Sequence, residues 1–172
     1  TRLVSLIENF LNISKIEQGR MVYRYDSVPI APIIEDVCKE IEHRARKKGV
    51  VFTIHIAKNV GLVYLDREKI RHVIFNFIDN AVKYSRDSGV RIFVDHQKGG
   101  ISVRVQDNGI GFGNDDKDLL FTKFYRGKNV EGRNVTGTGI GIYLCRQFVE
   151  GHAGRVWARS DGIGRGSEFG FW

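Results

Sequence analysis

The residues best suited to chemistry fall into two patterns. In the first, Asp107–Asn108–Gly109–Ile110–Gly111, an acid and an amide precede two glycines at the end of a strand-like segment. A carboxylate there can accept a hydrogen bond from an exocyclic amine, and an amine at C6, where guanine has a carbonyl, is what separates adenine from guanine. In the second, Asn76, Asn80 and Lys83 stand at i, i+4 and i+7 of a helical stretch and share one face. Amide oxygens are hard ligands, suited to a magnesium ion that keeps several waters and is completed by phosphate oxygens. Lysine adds a point charge for phosphate. A polar helix face is usually just solvated, but this one runs beside the strongly apolar stripe Ile70, Val73, Ile74, Phe77, Ile78 and Ala81.

Glycine clusters at 109–111, 137–141 and 162–166 form a third set. Glycine lets backbone N–H groups approach an anion, and a helix N-terminus adds a favourable dipole. Only the second cluster has both, because a helix follows from Ile140. It is no P-loop, since no lysine follows the glycines and Thr138 sits between them. At this point a phosphate cradle and a simple tight turn both remain open.

These residues need elements to hold them. Apolar spacing over 1–18 (Leu3, Leu6 or Ile7, Phe10, Ile13) predicts a helix stopped by Gly19. A free helix of that length is marginal, so it needs a partner in a bundle or coiled coil, or its own domain. Met21–Asp26 alternates and reads as a strand. Pro29 and Pro32 bracket the start of a helix whose apolar face is Ile33, Ile34, Val37, Cys38, Ile41 and Ala45, ended by Gly49. Val51–Ile56 and Leu62–Leu65 read as short strands across a turn with Asn59 and Gly61. Asp66 is the expected N-cap of a helix to about Tyr84. Strands follow at 90–96 and 101–107, joined at Gly99–Gly100. A loop over 112–137, charged and without apolar periodicity, has a length usually tied to function. A helix to Glu150 and strands near 155–160 and 167–172 complete the order. Helices interleaved with antiparallel hairpins predict an α+β domain with one mixed sheet, helices on one face, and a preceding helical arm.

The bulk numbers set limits. The chain has 172 residues, 42% hydrophobic and 27% charged, enough for one ordinary domain and an appendage. No apolar run approaches the roughly 18 residues that cross a bilayer, and the start, Thr1–Arg2–Leu3, reads as a chain entered in mid-helix. Cys38 and Cys145 lack partners at metal-ligand spacing and read as buried free thiols. Net charge is +7, but the basic residues are scattered. Arg44, Arg46, Lys47 and Lys48 end a helix, where they offset the macrodipole, and Lys123, Arg126, Lys128 and Arg133 lie in the loop. Nucleic acid is not expected as a partner.

Five segments together resemble the catalytic domain of sensor histidine kinases. Asn76–Phe77–Ile78–Asp79–Asn80–Ala81–Val82–Lys83–Tyr84–Ser85 resembles their N box, and Asp107–Gly111 their first glycine box. Phe121–Thr122–Lys123–Phe124–Tyr125–Arg126 resembles the F box, Gly137–Leu144 the second glycine box, and Gly164–Phe169 the last glycine motif. They occur in the family's order and cover 76–169. Ser14–Gly19 is similar to the end of the second dimerisation helix.

The resemblance implies a Bergerat fold, a two-layer α/β sandwich with a mixed, mostly antiparallel sheet. It implies residues 1–19 as the end of dimerisation helix 2 and 20–172 as the catalytic domain, with an ATP lid over 112–137. The cofactors implied are ATP and Mg2+. Asp107 would bind the adenine amine, with Gly109 and Gly111 shaping the base pocket. Asn80 would lead in holding magnesium, with Asn76 beside it. Lys83 and Tyr84 would contact phosphates or the nucleotide flank. Gly137, Thr138, Gly139, Ile140 and Gly141 would wrap the phosphates, with Phe124 and Ser167 also at the nucleotide. Asn76, Lys83 and Arg126 would serve phosphoryl transfer, with Lys128 and Arg133 as rivals to Arg126.

Hydrolysing members of the superfamily carry a glutamate base where this chain has Asn76. An amide cannot take the proton, so the site suits transfer to another nucleophile. The expected acceptor motif, like His-Glu-x-Arg-Thr-Pro, is absent from the sequence. His152, in Glu150–Gly151–His152–Ala153–Gly154, reads as packing or capping. The chain is therefore expected to bind ATP without phosphorylating itself. Expected partners are a dimerisation and histidine-phosphotransfer domain, a response regulator receiver domain, and a second copy through 1–18. The resemblance also implies a cytoplasmic domain of a parent anchored in the inner membrane. A nucleotide-binding interaction module, or an anti-sigma-type serine kinase of the same fold, is the alternative.

Overall fold

The computed structural model describes residues 2–85, 89–97, 99–127 and 138–172. Its elements run α1 (Arg2–Glu17), β1 (Asp26–Pro29), α2 (Ile30–Lys47), β2 (Phe52–Ile56), β3 (Leu62–Leu65), α3 (Arg67–Tyr84), β4 (Val90–Gln97), β5 (Gly100–Asp107), α4 (Asn114–Lys117), α5 (Gly141–Gly151), β6 (Val156–Arg159) and β7 (Ser167–Phe171). Five strands form one sheet in the order β2-β4-β5-β7-β6. β2 and β4 run parallel, and the other neighbours are antiparallel.

Strand alternation puts Val90, Ile92 and Val94 of β4 with Val103 and Val105 of β5 in a core shared with Ile74, Phe77 and Ile78 of α3 and Leu144 and Phe148 of α5. Each such side chain contributes about 1.5–3 kcal/mol when fully buried. The other face is polar and aromatic: Arg104 lies over Phe93, and Trp157 Nε1 donates to Glu168. This is the expected two-layer α/β sandwich of Bergerat type.

Helix α3 carries the amides of the candidate site, and its ends are well fixed. Asp66 caps it as expected, with Oδ1 accepting from Lys69 N at 3.1 Å. Its second oxygen accepts from Arg24 N at 2.8 Å, and its own N–H donates to His152 Nε2 at 2.9 Å. His152 is the C-cap of α5, so it holds two helix ends together, in agreement with the capping role expected. Cys38 and Cys145 are buried and free.

Three expectations need correction. Met21–Asp26 is not a strand. Met21 and Tyr23 alternate because they pack against the core, while Arg24 N is taken by Asp66; the ladder begins only at Asp26 and extends to Pro29. The sheet is not single, and β2 and β3 do not pair. β3 pairs with β1 as a two-stranded ribbon, while β2 joins β4 in the main sheet. Asn59, at φ 64°, turns the chain from one sheet to the other. The segment after Gly111 is not structureless. It holds α4, and Phe112 and Phe121 bury themselves against Ala158 in a small core of their own; their spacing has no period because a loop, not a helix, brings them together.

The arm α1 ends in a reverse turn at Gly19 (φ 63°), where Arg20 N donates to Lys15 O at 2.8 Å. Its last turns pack on the domain, with Ile13 buried, while Leu3, Val4, Ile7, Phe10 and Leu11 are exposed. No helix among the described residues is long and apolar enough to cross a membrane.

Candidate active site

One cavity of about 470 Å³ runs along the polar face of α3, within the size of small-molecule sites. Asn76, Asp79, Asn80, Lys83 and Tyr84 form its floor. Asp107, Ile110, Gly111 and Ser167 close one end. Thr138, Gly139, Gly141 and Ile142 form another wall, with Leu120, Tyr125, Arg126 and Gly127 above them. Ser5, Leu6 and Asn9 of α1 also border it.

The acid end is pinned to the C-terminus of α3 by Ile110 N donating to Tyr84 O at 3.2 Å. Gly109 is required here, since a Cβ would stand 2.1 Å from Tyr84 O. The third glycine cluster buttresses this turn from behind: Gly166 N donates to Gly109 O at 3.1 Å, and Gly164 N to Ile110 O at 2.6 Å. Asp107 is buried. Its Oδ1 accepts from Gly109 N at 2.7 Å and its Oδ2 from Ser167 Oγ at 2.5 Å. Burial pushes its carboxyl above the usual range, and the Ser167 hydroxyl, then the Gly109 and Ser167 backbone N–H groups, pull it back. A carboxylate has lone pairs beyond these two bonds, so it can still receive an amine.

The second glycine cluster opens α5 beside Asn76. A Cβ on Gly141 would lie 2.2 Å from Asn76 Oδ1. Asn76 Nδ2 donates to His72 O at 2.8 Å, one turn back on its own helix, which orients its oxygen towards the start of α5. The span from Tyr84 back to Asn76 is eight residues, roughly 12 Å of helix. Gly139 (φ 69°) fits against the backbone of Phe124 and Tyr125, where a Cβ would meet Phe124 C at 2.6 Å.

Most of the residues expected from sequence meet in this cavity: Asn76, Asn80, Lys83, Tyr84, Asp107, Gly111, Arg126, Thr138, Gly139, Gly141 and Ser167. Three described ones do not line it. Phe124 is 60% exposed, Ile140 is buried in the main core, and Gly109 stands behind the wall. Phe124 takes φ 61°, and its backbone carries the packing on Gly139. Gly137, Lys128 and Arg133 lie outside the described residues. Arg126 is close enough to Tyr84 to oppose, by its charge, the rise that burial gives the phenol.

Sequence reasoning missed three participants. Asp79 is buried between the two asparagines and pairs with Lys83 Nζ at 2.5 Å and with an Arg44 guanidinium nitrogen at 2.6 Å. The i, i+4 spacing of Asp79 and Lys83 was a usable signal, whereas Arg44, on another helix, gave none. Tyr125 donates to the buried Asp116, which fixes the loop above the cavity.

The donor set fits a magnesium nucleotide. Asn76 and Asn80 offer neutral oxygens that phosphate and water would complete. An acid at one end and cations with a helix N-terminus along the rest match an amine and a phosphate tail.

Residues 65–172 match the family described as histidine kinase-, DNA gyrase B-, and HSP90-like ATPase. A sensor-like histidine kinase of Rhizobium meliloti (strain 1021) is 33% identical over 162 residues, which are 93% of this chain and 31% of that protein. The adaptive-response sensory kinase SasA of Gloeothece citriformis (strain PCC 7424) is 31% identical over 170 residues, 96% of this chain and 42% of that protein. The chain thus spans less than half the length of these relatives. Full-length ShkA, solved in complex with AMPPNP, superposes with a TM-score of 0.86 at 23% identity, over 99% of this chain and 35% of that one, a likeness of fold.

Proposed function

The chain belongs to the family of histidine kinase-, DNA gyrase B-, and HSP90-like ATPases, and from that premise we propose that it is the ATP-binding catalytic part of a sensor histidine kinase. The observation that carries this reading is the polarity of the cavity. A buried acid stands at one end, and amides, cations and the start of α5 stand along the rest.

Asp107 receives the adenine 6-amine while Gly109 and Gly111 keep the wall thin. Asn80 and Asn76 hold Mg2+, which neutralises charge on the phosphates when bound. Lys83 reaches back along α3 towards the tail, and Thr138, Gly139 and Gly141 present N–H groups to it. Arg126 faces the transferred phosphoryl group. Asn76 is an amide and cannot deprotonate water, so the site favours a nucleophile brought by another domain. That nucleophile is a histidine of a dimerisation domain, to which residues 1–19 form the tail of helix 2, with 20–172 as the catalytic unit. The phosphoryl group then passes to a response regulator receiver domain.

The experiment is isothermal titration of ATP and adenosine into the wild type and Asp107→Asn. Losing a charged acceptor costs about 1.5–3 kcal/mol, roughly a tenfold to hundredfold weaker affinity for both ligands. Unchanged affinity overturns the base pocket. Adding a histidine-bearing dimerisation domain and labelled ATP should give acid-labile, base-stable phosphate on that domain and none on the chain alone.

A further inference from the structure

The polar floor of the cavity contains a buried acid shared by two cations. Asp79 lies on α3 between Asn76 and Asn80, and only 6% of its surface is exposed. Each carboxylate oxygen has a different cation. Lys83 Nζ, on the same helix, stands 2.5 Å from Oδ2, and Arg44, from the end of α2, stands 2.6 Å from Oδ1. The second pair joins two different helices through a single guanidinium nitrogen. A guanidinium carries five N–H donors, so one contact with Asp79 does not exhaust it. The Phe75 ring, 5.9 Å from its central carbon, supports it from the side.

Two cations against one carboxylate leave excess positive charge on the cavity wall, beside both amides. Arg44, Phe75, Asp79 and Lys83 all line the cavity. A plain staple between α2 and α3 would not need to open onto this space. Arginine recognises phosphate oxygens by a planar fork, which lysine does not reproduce.

We propose that Arg44 binds the phosphate tail of the nucleotide from α2, and that Asp79 is the positioning residue that holds Arg44 and Lys83 ready for it. The proposal rests on the nucleotide site described under Proposed function. No proton moves in this arrangement. The tail exchanges its hydration for the N–H groups of Arg44 while Asp79 keeps the guanidinium in place.

The test is isothermal titration of ATP and of adenosine, at constant magnesium, into the intact chain and its variants. Arg44→Ala should weaken ATP about tenfold and change adenosine less than about twofold. Arg44→Lys should recover part of that loss. In an Asp79→Asn background, Arg44→Ala should weaken ATP less than about threefold, because its positioning is already gone. If Asp79→Asn does not fold, Asp79→Glu moves the carboxylate by one methylene and should reduce the Arg44 effect in the same way. Equal losses for ATP and adenosine, or no loss for ATP, overturn the phosphate role of Arg44. A full Arg44 effect in the Asp79 background overturns the positioning role. Failure of the base pocket reads differently: Asp107→Asn would leave adenosine binding unchanged while the Arg44 comparison on ATP still stands.

Discussion

Asp107 shows how one residue can be tuned by its neighbours. Burial raises its pKa and the Ser167 hydroxyl offers the largest counterweight. The sign follows: a raised acid favours the protonated fold, so its stabilising effect is full below its unfolded value and is lost as pH rises through the folded one. Adenine recognition needs the opposite form, the carboxylate. Nucleotide affinity should therefore fall on acidification, and Ser167→Ala should move that fall to higher pH. Titrating ATP affinity against pH for both proteins checks this, with the ligand's own protonation common to the two curves. Coincident curves would mean that Ser167 does not set the acid. The same scale explains Asn76, whose amide nitrogen is spent on His72 O and whose oxygen is thereby aimed.

Elements bring these residues into register by close contact, and α3 against α5 is one such case. Gly141 leaves no room for a Cβ beside Asn76 Oδ1. Gly141→Ala should cost about 1–3 kcal/mol through crowding and push Asn76 out of place. The expected outcome is a lowered melting temperature together with loss of the magnesium-dependent part of ATP affinity. A variant that melts lower but keeps its magnesium response would show that Asn76 is not held by this contact. The ribbon of β1 and β3 teaches a related lesson. β3 delivers the chain to Asp66, and the cap it makes also ties down residue 24 and the end of α5.

Across the whole molecule, His72 gives the fold a weakness towards acid. It sits on α3 and packs against α5, edge-on to Phe148 at 5.3 Å, with Nε2 in no hydrogen bond among the described residues. Burial first, then the charges of Lys69 and Arg71, lower its pKa from 6.5 to about 4. A depressed base is neutral in the fold but protonates in the unfolded chain, so stability is full above 6.5 and drains as pH falls towards 4. The loss across that window should reach about 3 kcal/mol. Chemical denaturation from pH 7 to pH 4 should show it, and His72→Gln should flatten the slope. An unchanged slope would assign the acid sensitivity elsewhere.

Periodicity made most helices and strands legible, because burial on one side of an element leaves a repeat of its own. The N-cap Asp66, the stop at Gly19 and the acid–glycine turn at 107–111 were legible because their backbone chemistry is local. The Asn76, Asn80 and Lys83 face was legible for the same reason, since helix spacing alone puts it together. Which strand pairs with which was not, and β2 and β3 parted into different sheets because pairing joins residues far apart in sequence. Nor could the sequence bring Arg44 from α2 to Asp79 on α3. The sequence by itself determined that an acid, two amides, a lysine and a glycine-opened helix were available. Only the tertiary structure decided that they line one cavity, that Phe124 faces away from it, and that a buried aspartate holds two cations there, because those contacts depend on helix packing and not on spacing along the chain.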